Sequence, residues 1–292
     1  MSGVIRSAIV TLEMIKIQHT VFALPFAFLA AVAAAEGMPG LRTIGWILVA
    51  MVGARSAAMA FNRLVDADID GRNPRTRMRA LPAGQVSRRY VALFAIASSA
   101  LLLVAAWQLN RLALILAPVA LLIVLGYSFT KRFTSWSHLF LGLALAIAPV
   151  GAAIAVTGRF VDDVWLLAGA VLCWTAGFDI LYSMQDIEFD RAEGLHSIPV
   201  HLGASGAIGV SRFLHVLTIA LLVTFGMAIG FGWIYYGGIL AAAILLVWQH
   251  SLVSATDLSK IDTAFFTANG MLSIVVFVAG ACDILRRAGG QL

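Results

Sequence analysis

Asn62, Asp66 and Asp70 stand four residues apart at the end of a long apolar stretch, and Tyr182, Asp186 and Asp190 repeat that spacing. Residues four apart share a helix face, so each trio forms a polar stripe if a helix carries it. Asp179 extends the second stripe one turn back. One constant offset of 120 residues relates the trios, and each is followed by a proline and a glycine, Pro82 with Gly84 and Pro199 with Gly203. If the two stripes face each other, their carboxylates repel unless cations sit between them or some are protonated. Hard divalent ions such as Mg2+ take oxygen ligands and bind substrate phosphates as well. Arg72, Arg75, Arg77 and Arg79 follow the first trio and are suited to hold a diphosphate through charge-assisted hydrogen bonds. Together these groups describe a site for ionising a phosphorylated substrate. Asp68 and Glu188 fall off the stripes and are expected on solvated faces.

The elements that must position these groups are set by composition. The 292 residues are 61% hydrophobic and only 12% charged, with a mean hydropathy of +0.94. Soluble domains carry roughly a quarter charged residues, so the solvent for this chain is lipid. Nine segments are apolar enough to span a bilayer, at about 20–36, 44–65, 90–109, 112–130, 138–157, 163–185, 206–230, 232–251 and 264–284. Short connections predict one antiparallel bundle, an all-α integral membrane domain over 1–292 with halves at about 1–130 and 131–292. Lys and Arg fall fourteen to five in favour of the side that carries the N-terminus, which places that end in the cytoplasm and the C-terminus outside. Both acid clusters then end cytoplasmic, at the second and sixth spans, around a central cavity open to that side. The excess of 20 basic over 15 acidic residues is spread over loops, which excludes a nucleic-acid surface. No disulfide framework is expected from two cysteines, and the start, with Arg6, Glu13 and Lys16, lacks a signal-peptide cleavage pattern.

The first signature, Asn62, Asp66 and Asp70 with Arg75-Thr76 and Arg79-Ala-Leu-Pro82-Ala-Gly84, resembles that of UbiA-type intramembrane prenyltransferases. Asp179, Tyr182, Asp186 and Asp190 resemble the second signature, and the likeness extends over nearly the whole chain. It implies transfer of a polyprenyl group from polyprenyl diphosphate to an acceptor, with Mg2+ as cofactor. By resemblance, Asn62, Asp66, Asp70, Asp186 and Asp190 hold the metal–diphosphate, with Asp66 and Asp186 catalytic, and Asp179 and Tyr182 line the acceptor site. Arg72, Arg75 and Arg79 face the diphosphate. His196, in "GLHSIP", stands where many members have a lysine and does the same work only when protonated. "GLHSIP" and "YSFTKRFT" resemble a bacterial subgroup assigned to quinone synthesis, which implies the bacterial inner membrane and a hydroxylated aromatic acid acceptor. The expected acceptor is 4-hydroxybenzoate for ubiquinone, with a dihydroxynaphthoate for menaquinone as the alternative.

Arg55 lies inside the second span, two turns before Asn62; a charge there marks either an acceptor carboxylate site or a buried pair. Lys131 and Arg132 read as a positive-inside anchor, although resemblance keeps Arg132 as an acceptor-binding candidate. His19, His138, His201, His215 and His250 show no metal-site spacing and are expected in the core or at interfaces. Aromatic residues such as Phe22, Trp174 and Phe178 are expected to pack, a few of them lining a prenyl tunnel. A cation-coupled transporter is the alternative from another class, but it leaves the arginines and Tyr182 unexplained. No obligate protein partner is implied.

Overall fold

The computed structural model describes residues 10–11 and 20–289, so Arg6, Glu13, Lys16 and His19 lie outside the described residues. Within that range the regular structure is all helical, with no strand. The helices are α1 (Thr20–Ala34), α2 (Leu41–Val65), α3 (Ala67–Arg72), α4 (Arg88–Leu109), α5 (Arg111–Gly126) and α6 (Ser137–Thr157). They continue as α7 (Val164–Ser183), α8 (Ile187–Ala192), α9 (Ile198–Ile229), α10 (Trp233–Ser251) and α11 (Asn269–Gly289). Among the described residues, eight helical stretches are long and apolar enough to cross a membrane, and α1 adds a shorter apolar helix over Phe22–Ala34. Helices suit such a span because they satisfy every backbone polar group internally.

Local sequence sets the helix ends. The side chains of Ser87, Asn110 and Ser197 accept hydrogen bonds from the backbone N–H groups of Tyr90, Ala113 and Val200 and so cap α4, α5 and α9. Gly158 closes α6 at φ 69°, in the left-handed region that glycine tolerates. The seventh expected span begins earlier than hydropathy suggests, at Ile198, because Ser197 caps it and Pro199 fits the first turn; a kink at Gly203 then redirects it.

The span running from α7 through α8 is the central one: 72% of its apolar window is buried, against 17% for the peripheral span of α5. Around α7, Trp174, Phe26, Leu29, Phe225, Tyr235 and Leu272 form a core with almost no exposure. Lipid offers no hydrophobic reward for burying such residues, so close packing and internal hydrogen bonds must hold the helices. Trp174 Nε1 donates to Asn269 Oδ1 at 2.9 Å in this core. Gly142 lets α6 approach α7 so closely that a methyl group there would collide with the carbonyl of Leu172.

Both acid stripes run through a break in their helix. Asp66 ends α2 at φ −96°, ψ 5°, and α3 follows at once. Asp186 ends a 3-10 turn (Met184–Asp186) after α7 at φ −106°, ψ 7°, and α8 follows in the same way. The first stripe keeps its register across the break, because the Asp66 N–H donates to Asn62 O at 2.9 Å and the Asp70 N–H to Asp66 O at 2.7 Å.

Candidate active site

The two stripes face one polar cavity of about 270 Å³, lined by Asn62, Asp66, Asp70, Asp179, Tyr182, Asp186 and Asp190. Arg55, Arg63, Asn73, Arg79, Lys131 and Arg132 line it as well. Asn62 Nδ2 donates to Asp66 Oδ2 at 2.8 Å, and Arg132 Nη2 donates to Asp66 Oδ1 at 3.2 Å and to Val65 O at 2.7 Å. Burial raises the pKa of Asp66 and the nearby charge of Asp70 adds to the rise, while Arg132 opposes it.

Asp70 receives Arg79 Nη1 on both oxygens, at 2.7 and 2.8 Å, with Arg63 at 3.7 Å. Asp186 is held by Arg75, from Nε to Oδ1 at 2.9 Å and from Nη2 to Oδ2, and by Asn73 Nδ2 at 3.1 Å. Asp190, 2% exposed, has Lys131 Nζ at 3.4 Å. The first arginine loop thus reaches the second acid stripe, which links the two halves of the cavity.

Not every expected group faces inward. Arg72 makes a forked pair with Glu193, its shortest contact 2.6 Å, which lowers the pKa of Glu193 and ties the end of α3 to the end of α8 at the surface. Arg75 acts on the cavity through Asp186 and stacks over Tyr182 at 5.5 Å. His196 is exposed and its backbone N–H donates to Lys131 O at 2.7 Å; its side chain is not part of the cavity wall. Asp68 is exposed and pairs with Arg88. Glu188 is exposed too.

Arg63, Asn73 and Tyr127 line the cavity, and His138 stands behind Asp179, although their types and spacing alone did not mark them. Arg63 and Asn73 flank the first stripe, and that adjacency is the signal that was available. Lys131, read as an anchor, also lines the cavity, against Asp190. His215 and His250 pair with each other at 2.9 Å away from this cavity, and His201 is exposed.

A second, apolar cavity of about 440 Å³ runs between α2, α5 and α6, walled by small residues such as Ala54, Ala117 and Ala148 and reaching Phe160 and Trp165. The two cavities share Arg55, Met59, Tyr127, Leu141 and Leu145, so an apolar passage opens from the polar site. Four buried polar atoms without a hydrogen-bond partner among the described residues belong to residues lining the polar cavity: Arg55 Nε, Ser128 Oγ, Ser137 Oγ and Thr175 Oγ1. Buried groups of this kind are normally satisfied, and their clustering points to a polar ligand in the cavity.

Among the described residues, no three acidic, histidine or cysteine side chains converge closely enough to hold a metal. Each of Asp66, Asp70, Asp186 and Asp190 is instead turned to a basic side chain. The donor set itself, four carboxylates and the Asn62 amide oxygen, offers oxygen ligands and fits a hard cation.

Residues 23–271 match the UbiA prenyltransferase family. The chain belongs to that family. Among its UbiA relatives, the 4-hydroxybenzoate octaprenyltransferase of Nitrosospira multiformis is 33% identical over 255 residues, covering 87% of each chain. The enzyme of the same name from Vibrio cholerae is 33% identical over 244 residues, 82% of this chain and 84% of its own. The fold is similar to the apo structure of a UbiA homolog from Aeropyrum pernix K1, with a TM-score of 0.80 and 34% identity over 92% of this chain and 98% of that one. A UbiA homolog from Archaeoglobus fulgidus bound to GPP and Mg2+ shares the fold at a TM-score of 0.76 and 21% identity, over 95% and 99% of the two chains. The protein is thus a multi-pass integral membrane protein of the UbiA fold.

Proposed function

We propose that this protein transfers a polyprenyl group from polyprenyl diphosphate to the ring of a hydroxylated aromatic carboxylic acid, with 4-hydroxybenzoate as the acceptor. The observation that carries the reading is the junction of two cavities: one holds acids and arginines, and the other is an alanine-walled passage into the apolar interior. Diphosphate, acceptor and tail each find matching chemistry there. The names and bound ligands of the family relatives support the same substrate class.

Asn62, Asp66, Asp70, Asp186 and Asp190 would hold Mg2+, which supplies charge neutralisation for the diphosphate as it departs. Arg75 and Arg79 are placed to exchange their carboxylate partners for phosphate oxygens, so the acid–base pairs keep the site neutral before substrate arrives. Arg55, with its unpartnered Nε, takes the acceptor carboxylate. The Tyr182 and Phe265 rings, 4.2 Å apart, offer π-faces to the developing allylic cation. The walls of both cavities keep water from quenching it.

We place the acid-bearing face on the cytoplasmic side of a bacterial inner membrane, on the Lys and Arg bias. We also read the halves at about 1–130 and 131–292 as pseudo-repeats, a reading supported by the matching breaks at Asp66 and Asp186. A panel of aromatic acids and prenyl diphosphates of graded length, assayed with purified protein, tests the reading. 4-Hydroxybenzoate should give the prenylated product. A product with dihydroxynaphthoate alone would move the acceptor to the menaquinone class.

A further inference from the structure

Five carboxylates face the polar cavity, and four of them are engaged by basic side chains: Asp66 by Arg132, Asp70 by Arg79, Asp186 by Arg75 and Asp190 by Lys131. Asp179 differs. Among the described residues its hydrogen-bond partner is His138, whose Nδ1 lies 2.7 Å from Oδ2. The Asp179 side chain keeps 23% exposure and lines the cavity, and no hydrogen bond among the described residues occupies its Oδ1.

His138 sits in the first turn of α6 with 0% exposure. Its tautomer is set from the other side, where the backbone N–H of Ile198, the first residue of α9, donates to Nε2 at 3.4 Å. A ring nitrogen that accepts carries no hydrogen, so in the neutral imidazole the hydrogen is on Nδ1 and is donated to Asp179. A neutral donor orients the carboxylate without fixing a full positive charge to it. A guanidinium or ammonium partner, in contrast, strongly favours the anion and weakens it as a base. Asp179 is therefore the one of the five cavity carboxylates whose direct hydrogen-bond partner is an imidazole rather than a guanidinium or ammonium group, with Oδ1 left open.

We propose that Asp179 receives the proton released by the aromatic acceptor, and that His138 is the positioning residue that holds it for this step. The inference rests on the prenyl-transfer reading and adds the destination of the proton. A bond forms between a ring carbon and C1 of the prenyl group while the C1–O bond breaks, and the diphosphate leaves with that electron pair. The C–H bond at the substituted ring carbon then breaks, its electrons restore aromaticity, and the proton passes to Oδ1 of Asp179. His138 changes neither charge nor bonding.

The test compares wild type with His138→Leu, His138→Asn and His138→Gln in purified protein, using ring-protonated and ring-deuterated acceptor. Asn keeps an N–H donor near the position of Nδ1, whereas Gln projects its amide further out. His138→Leu is expected to lower kcat by about tenfold or more, close to 1.4 kcal/mol. The KM for prenyl diphosphate should stay unchanged, and a primary deuterium isotope effect should appear as proton removal becomes limiting. His138→Asn should recover most of the rate and His138→Gln little, a comparison that stands even if the Leu variant fails to fold. Equal rates for the Asn and Gln variants, or a rate loss with no isotope effect, would overturn the proposal. Asp179→Asn separates the layers: if it is inactive while His138→Leu turns over normally, the dyad falls and the prenyl-transfer reading stands. A wild-type protein that prenylates no aromatic acid removes the reading itself.

Discussion

Asp66, Asp70, Asp186 and Asp190 each meet a basic partner within 3.4 Å, and those partners come from loops as well as helices. A buried carboxylate is costly unless paired, so these contacts keep the cavity stable while it waits for a polyanion. Arg55 is the exception, a guanidinium inside a span with a buried Nε that no group among the described residues satisfies. Replacing it with Lys keeps the charge but loses the planar fork, so Arg55→Lys should raise KM for 4-hydroxybenzoate about tenfold or more. KM for prenyl diphosphate should hardly move, and steady-state titration of each substrate separates the two. Asp68 provides the contrast, because it is exposed and pairs with Arg88 at the surface. Asp68→Ala should keep turnover within about twofold of wild type, since exposed pairs contribute little.

The elements explain how such charges are brought together in a membrane. α2 and α7 carry the stripes to the edge of the bundle, and breaks at Asp66 and Asp186 turn the last carboxylates inward. α7 can do this only if its neighbours approach closely, and Gly142 on α6 allows that contact. Gly142→Val should destabilise the fold by about 1–3 kcal/mol, as overpacked interiors do, and lower the melting temperature in detergent. The spans were legible in the sequence because length and hydropathy are local properties, and so was the stripe of Asn62, Asp66 and Asp70. The start of α9 was not, since its first turns owe more to the Ser197 cap and Pro199 than to apolar residues. Nor was the π-helical turn Thr263–Ala268, which brings Phe265 to the cavity. Partners such as Arg75 with Asp186, 111 residues apart, and His138 with Asp179, 41 apart, depend on tertiary packing that no spacing rule contains.

The whole molecule joins a charged mouth to an apolar passage. The passage is walled by alanines, so its bore depends on small side chains along α2, α5 and α6. Ala148 lies about midway along α6 on this wall. Ala148→Phe should fill the passage, and the variant should favour short prenyl diphosphates such as dimethylallyl over long polyprenyl ones. Product analysis across a length series measures the shift, and an unchanged preference would place the tail elsewhere.

The claim that most needs testing is that the two acid stripes act together on one diphosphate. The direct measurement is Mg2+-dependent diphosphate release by purified wild type, Asp66→Ala and Asp186→Ala, supplied with polyprenyl diphosphate and 4-hydroxybenzoate. Wild type should release diphosphate in step with prenylated product and lose that activity when Mg2+ is chelated. Each variant, though one lies in each half of the chain, should fall by about 100-fold or more, as expected when a charge-stabilising group is removed from a transition state. Near wild-type release from either variant would contradict the account.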